Sequence, residues 1–167
     1  DMPLTVLSSF EDKPGTMIVG DDAIEEGDME RNVITGIAHD KNEAMVTLTG
    51  LPDTPGTVAA IFAPLADANV NVDMIVQSVP RAGEASVLTF TVPTASLAHS
   101  VAELNKVKEK IGFQELLTNT GVVKVSAVGV GMRSNAGIAS KMFQTLAERG
   151  INILAITTSE IKVSVLI

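Results

Sequence analysis

The sequence predicts an α+β fold built from two copies of one unit, and three observations predict it. Apolar residues alternate with polar ones over short stretches, as half-buried strands require. Between those stretches lie segments with apolar residues spaced three and four apart, the period of an amphipathic helix. The same order of segments then occurs twice, and a repeat at this scale decides the architecture.

The elements follow in order. Leu4–Ser9 and Thr16–Val19 read as short extended pieces joined by the Asp12-Lys13-Pro14-Gly15 turn. Asp21 to Glu30 carries Asp21, Asp22, Glu25, Glu26, Asp28 and Glu30, the composition of a solvated linker. Val33–Ala38 reads as an isolated edge strand. Val46–Gly50 alternates as a strand, and Leu51-Pro52-Asp53-Thr54-Pro55-Gly56 turns into a helix with Val58, Ile61, Phe62 and Leu65 on one face. A strand from Asn71 to Ser78 and another from Ser86 to Val92 come next. A helix from about Ser96, with Leu97, Val101, Leu104 and Ile111 along one side, leads to a strand at Glu115–Thr118.

The second copy starts with a strand at Lys124–Gly129 and turns through Val130–Gly137. Its helix should bury Ile138, Met142, Phe143 and Leu146, and strands at Asn152–Ser159 and Ile161–Leu166 follow. Phe62 falls on Phe143, and NVDMIVQS falls on NILAITTS. The complete first copy reads strand, helix, strand, strand, helix, strand, a ferredoxin-like βαββαβ unit with an antiparallel sheet and both helices on one face. The second copy has no second helix in this sequence, so its terminal helix is expected beyond Ile167. With Val33–Ala38 as the edge strand of the second copy, the first unit is inserted in the second. The expected divisions are 1–30 as the end of a preceding domain and its linker, 31–44 as the contributed edge strand, 45–120 as the first unit and 121–167 as the second.

Composition narrows the function. The 167 residues carry 12 Lys plus Arg against 20 Asp plus Glu, a net charge of -8. Nucleic acid and anionic membrane are both excluded as partners, since each needs clustered cations. Cysteine, Trp and Tyr are absent, which removes disulfides, thiolate chemistry, Cys-ligated zinc and stacking platforms. No apolar run approaches the roughly 20 residues of a membrane helix, and a cytoplasmic location is expected. His39 and His99 lack partners at catalytic or ligand spacing, so neither a catalytic group nor a metal site is expected. Gly129-Val130-Gly131 with Gly137 fits no nucleotide-binding pattern.

Each glycine turn does place backbone N–H groups at the start of a helix, where a carboxylate is attracted. A free amino acid supplies one. Its ammonium would be accepted by Asp53 in the turn, or by Asp73 and Gln77 on the neighbouring strand. The plainer reading is that Asp53-Thr54-Pro55-Gly56 is a turn that caps its helix.

LPDTPGTVAAIF, NVDMIVQSV, KVSAVGVGMRSNAGIASKMF and TTSEIKVSVLI closely resemble the tandem ACT domains at the carboxyl end of aspartokinase, over essentially the whole chain. PLTVLSSFEDKPGTMIVG resembles the last strands of that family's kinase domain, and Met29-Glu30 the start of its separately translated β-type regulatory subunit. The resemblance implies an allosteric regulatory module for the phosphorylation of aspartate by ATP, with ATP and magnesium held by a kinase domain outside this chain and no cofactor within it. A stand-alone amino-acid-binding ACT protein, or the tail of another biosynthetic enzyme, is the alternative. The implied effectors are threonine, lysine or both, bound between ACT units across a two-fold homodimer. Carried onto this sequence, the first site comprises Asp53, Gly56, Asn71, Val72, Asp73 and Gln77. The second comprises Met132, Arg133, Ser134, Asn152 and Ile153, with Ser159 and Glu160 close by. Asn135-Ala136-Gly137 and Leu154 depart from the family pattern, which often has Pro in that turn and a polar residue after Asn-Ile.

Overall fold

The computed structural model describes residues 4–10, 14–18, 33–78, 85–133 and 137–167, without the side chain of Arg133. The predicted linker Asp21–Glu30, Met29-Glu30 and Ser134 lie outside the described residues. Leu4–Val6 (β1) and Thr16–Ile18 (β2) pair antiparallel as a two-stranded sheet of their own.

The first large sheet has the strand order β5-β6-β4-β7 and is antiparallel throughout, with β4 Glu43–Leu51, β5 Asp73–Gln77, β6 Ser86–Pro93 and β7 Glu115–Asn119. Helices α1 (Thr57–Asp67) and α2 (Leu97–Ile111) connect its strands. Alternation along β4 and β6 sends Ala44, Val46, Leu48, Leu88, Phe90 and Val92 to one side, where they meet Ile61 and Leu65 of α1 and Leu104 and Ile111 of α2. Burial of each such Leu, Ile or Phe contributes about 1.5–3 kcal/mol. Phe62 adds an edge-to-face contact with Phe90 at 5.2 Å between ring centroids. At the end of α2, Gly112 takes φ 85° and donates its N–H to the Lys108 carbonyl, a left-handed stop that a side chain would resist.

The second sheet has the order β3-β8-β10-β9, again antiparallel, with β3 Gly36–Asp40, β8 Lys124–Val128, β9 Ala155–Thr158 and β10 Lys162–Leu166. The whole βαββαβ unit therefore lies between the first strand of this sheet and the rest. The fold is α+β, with one ferredoxin-like unit inserted in the other. Helix α3 (Ile138–Ala147) packs on this sheet, but none of its residues is fully buried. The predicted stripe Ile138, Met142, Phe143 and Leu146 is half-buried instead. The reason is geometric: among the described residues only one helix covers this face, and beside it runs an apolar groove of about 590 Å³ lined by residues such as Ile34, Ile37, Val125 and Met142.

The two units meet at strands β5 and β9. Met45 and Met74 of the first pack with Val122, Ala155 and Leu166 of the second. The turns that lead into α1 and α3 follow the far ends of β4 and β8, so they point away from this junction. Strands β5 and β9 begin two to three residues later than their alternation suggests, at Asp73 and Ala155. In β5 the departure is visible in the backbone, where Met74 adopts φ 48°.

Candidate functional site

In the second unit, β8 ends at Val128 and the chain passes through Gly129 into a 3₁₀ turn at Val130–Arg133. Gly129 donates its N–H to the Ile161 carbonyl at 2.9 Å, which holds this turn against the β9–β10 connection. Gly137 then caps α3 in the left-handed conformation, φ 98°, with no side-chain cap. The first N–H groups of α3 consequently have no acceptor of their own within the helix.

Ser159 donates its N–H to the Lys162 carbonyl, closing the β9–β10 turn beside them. Between these pieces lies a cavity of about 500 Å³ lined by Met132, Gly137, Ile138, Ala139, Ser159, Glu160 and Val163. Predicted residues Met132, Ser159 and Glu160 are thus brought together at the start of α3. A helix start attracts a carboxylate and Glu160 suits an ammonium, which are the two charged ends of a free amino acid. The side chain of Arg133 and all of Ser134 lie outside the described residues. Asn152 and Ile153 precede β9 at its other end and do not line this cavity.

The predicted residues of the first unit divide in the same way. Gly56 caps α1 with φ 94° and no side-chain cap, so Asp53 does not serve as the helix cap. The turn is instead tied by the Thr54 and Thr57 hydroxyls, 3.0 Å apart, and by the Thr57 N–H to the Thr54 carbonyl. Asp53 and Gln77 are exposed at this end of the sheet. Asn71, Val72 and Asp73 stand at the opposite end, where they line a smaller cavity of about 220 Å³ with Asp40, Asn42, Glu43, Thr91 and Pro93. The Thr91 hydroxyl is buried there without a hydrogen-bond partner.

This junction holds a charged cluster that the sequence reading missed. Lys124, which begins β8, donates to Asp73 Oδ2 at 2.9 Å and also to Glu43 Oε1, which begins β4. The other Asp73 oxygen accepts the Met74 N–H at 2.7 Å and so holds the positive-φ residue in place. Burial works to raise the Asp73 carboxyl. The Lys124 hydrogen bond, the Met74 N–H and the charges of Lys124 and Lys162 outweigh it, and Asp73 sits below its ordinary value. Burial likewise works to lower Lys124, but Glu43 and Asp73 hold it above its own. The available signal was a charged residue at the first position of a strand in each repeat, Glu43 in one and Lys124 in the other.

A family model of the ACT domain matches residues 45–109, and a second ACT-domain model matches residues 125–167. The chain is 39% identical to the regulatory subunit of aspartate kinase from Thermus thermophilus, with a TM-score of 0.75 over 80% of this chain and 87% of that one. The chain belongs to the aspartokinase family. Its described units are that family's paired ACT domains. A solved structure of aspartokinase alpha and beta subunits is 48% identical, with a TM-score of 0.74 over 80% of this chain and 86% of that one. The aspartokinase of Pseudomonas aeruginosa is 48% identical over all of this chain and 40% of its own length. The chain thus spans about two fifths of the curated aspartokinase that it matches. Among the described residues no group of His, Cys, Asp and Glu is placed to hold a metal, and no helix is long and apolar enough to cross a membrane.

Proposed function

We propose that this aspartokinase region is an allosteric module that binds a free amino acid, threonine or lysine or both, and restrains the phosphorylation of aspartate by a kinase domain. The observation that carries the reading is the cavity at the start of α3, which Met132, Ser159 and Glu160 line together with Gly137, Ile138 and Ala139 of the helix start. Such a site offers complementary partners to both ends of an amino acid while leaving its side chain to be read by neighbours.

The working state is a homodimer. Strand β5 is an edge strand with Ile75 and Val76 in contact with solvent, and β9 is an edge strand with Ile156 exposed. The two strands lie beside each other within the chain, and the apolar side chains left exposed on them form a surface that a second copy covers. The effector acts by favouring one arrangement of that dimer over another, because equal affinity for both would shift nothing. The change reaches the kinase domain through the segment 21–30 as a rigid-body displacement.

Isothermal titration of the purified chain with threonine, lysine, methionine and aspartate tests the reading. Saturable heat with threonine or lysine, and none with methionine or aspartate, is the expected result. Absence of heat with threonine and lysine alike would sink it for the isolated module.

A further inference from the structure

We propose that Lys124 is the residue that couples the two ACT units, its ammonium clamped by Glu43 and Asp73 so that the start of β8 and the start of β5 open together. The coupling stands on geometry alone; its bearing on regulation rests on the function proposed above.

Three features carry it. The contacts are long-range, between residues 81 and 51 positions apart, and they join a strand of the second sheet to two strands of the first. The Lys124–Glu43 pair is sheltered, with the Lys124 side chain 18% exposed and that of Glu43 8% exposed, while Asp73 closes the cluster from the solvent side at 52% exposed. A sheltered ion pair that loses one partner leaves an uncompensated charge, so separating the units here is costly in a way that separating apolar surface is not. Finally, Asp73 serves two purposes. One oxygen holds Met74 at positive φ and the other holds Lys124. Any shift of Asn71–Asp73 therefore pulls on Lys124 and through it on β8. Strand β8 is paired along its length with β3, whose other end leads back towards residues 19–32. A polar route from Asn71–Asp73 to the amino-terminal side of the chain thus passes through this ammonium, beside the apolar contacts of Met74 with Ala155 and Leu166.

Hydrogen exchange read by mass spectrometry on the whole chain tests the coupling. The variants are Lys124→Arg, Asp73→Asn and the double variant Glu43→Gln/Lys124→Met. The double variant avoids stranding the sheltered Glu43 carboxylate and leaves the net charge of the cluster unchanged, with the more exposed Asp73 as its remaining charge. In the double variant, peptides covering 124–128 and 162–166 should exchange about tenfold faster while the central strand 86–93 is unchanged, because opening becomes local to one unit. Lys124→Arg should restore most of the protection, and Asp73→Asn should lie between. Equal exchange in the double variant and the parent would overturn the proposal.

A second arm adds saturating threonine. In the parent, new protection should reach both units. In the double variant it should stay in one. If protection spreads to both units in the double variant as well, Lys124 is not the coupler. If threonine and lysine, each tried in turn, give the parent neither heat nor protection, the effector reading fails, while the unliganded comparison still decides the coupling.

Discussion

Asp73 and Gln77 are the two ends of one five-residue strand, β5, and face different surroundings. Asp73 is engaged by Lys124 at the junction of the units, whereas Gln77 is exposed at the far end beside the turn that starts α1. At roughly 3.3 Å per residue the two Cα positions are about 13 Å apart. Within one chain they stand too far apart to hold one amino acid between them. Antiparallel apposition of two sheet edges would bring the Gln77 end of one copy to the Asp73 end, or the equivalent Asn152 end, of another.

Effector affinity should therefore depend on dimerisation. Diluting the chain through its dimer dissociation, followed by sedimentation, should weaken threonine binding measured at the same protein concentrations. This follows from linkage, since a ligand that requires the dimer also stabilises it. Constant affinity across dissociation would mean that each site is complete within one chain.

Asp53→Ala and Gln77→Ala should weaken threonine affinity about tenfold or more, the scale of a lost hydrogen bond to a charged group. Both residues are exposed and outside the apolar core, so thermal stability should change by no more than about 0.5 kcal/mol. In a longer aspartokinase the same changes should relieve inhibition and leave uninhibited activity intact. Calorimetry and inhibition curves check the two halves separately.

Much of this arrangement was legible from local pattern. Alternation along Val46–Gly50 and Ser86–Val92 and the helical stripes at Ile61, Leu65 and Leu104 are short-range signals, and their side chains are fully buried. The repeat placed the second unit. The junction was not legible, because Glu43, Asp73 and Lys124 are far apart in sequence and no local period ties a charge at one strand start to a charge at another. The half-burial of Met142 and Phe143 also escaped the pattern. A helical stripe reports which side faces inward, not whether a neighbouring helix completes the cover.

The junction should make stability depend on pH only at the extremes. Asp73 sits below its ordinary 3.8, so its contribution is present above that value and is lost as pH falls through the lower value it has when folded. Lys124 sits above its ordinary 10.5, so its contribution is fully present below 10.5 and is lost as pH rises through its higher folded value. The stability difference between the parent and Glu43→Gln/Lys124→Met should be flat from about pH 5 to 10 and narrow on either side. Urea unfolding at several pH values measures it. A difference that rose or fell steadily across neutrality would point to another titrating group.

Two glycines should respond differently to alanine, although both flank the same turn. Gly137 has φ 98°, and a Cβ there would meet nothing within 4 Å. Gly137→Ala thus carries only the cost of the left-handed backbone, about 1–2 kcal/mol. At Gly129 no such φ is involved, but a Cβ would collide with the Val33 carbonyl oxygen and lie 2.8 Å from Ile34 Cα. Backbone cannot yield as a flexible side chain does. Gly129→Ala must push the approach to β3 away from β8, where the Thr35 N–H donates to the Val128 carbonyl at 2.8 Å. Overpacking of this kind costs about 1–3 kcal/mol. The distinguishing readout is the location of the damage: exchange should accelerate across 35–40 and 124–128 in Gly129→Ala but stay confined to the start of α3 in Gly137→Ala. Faster exchange of β3 in both variants would mean that the turn and the edge strand move as one body.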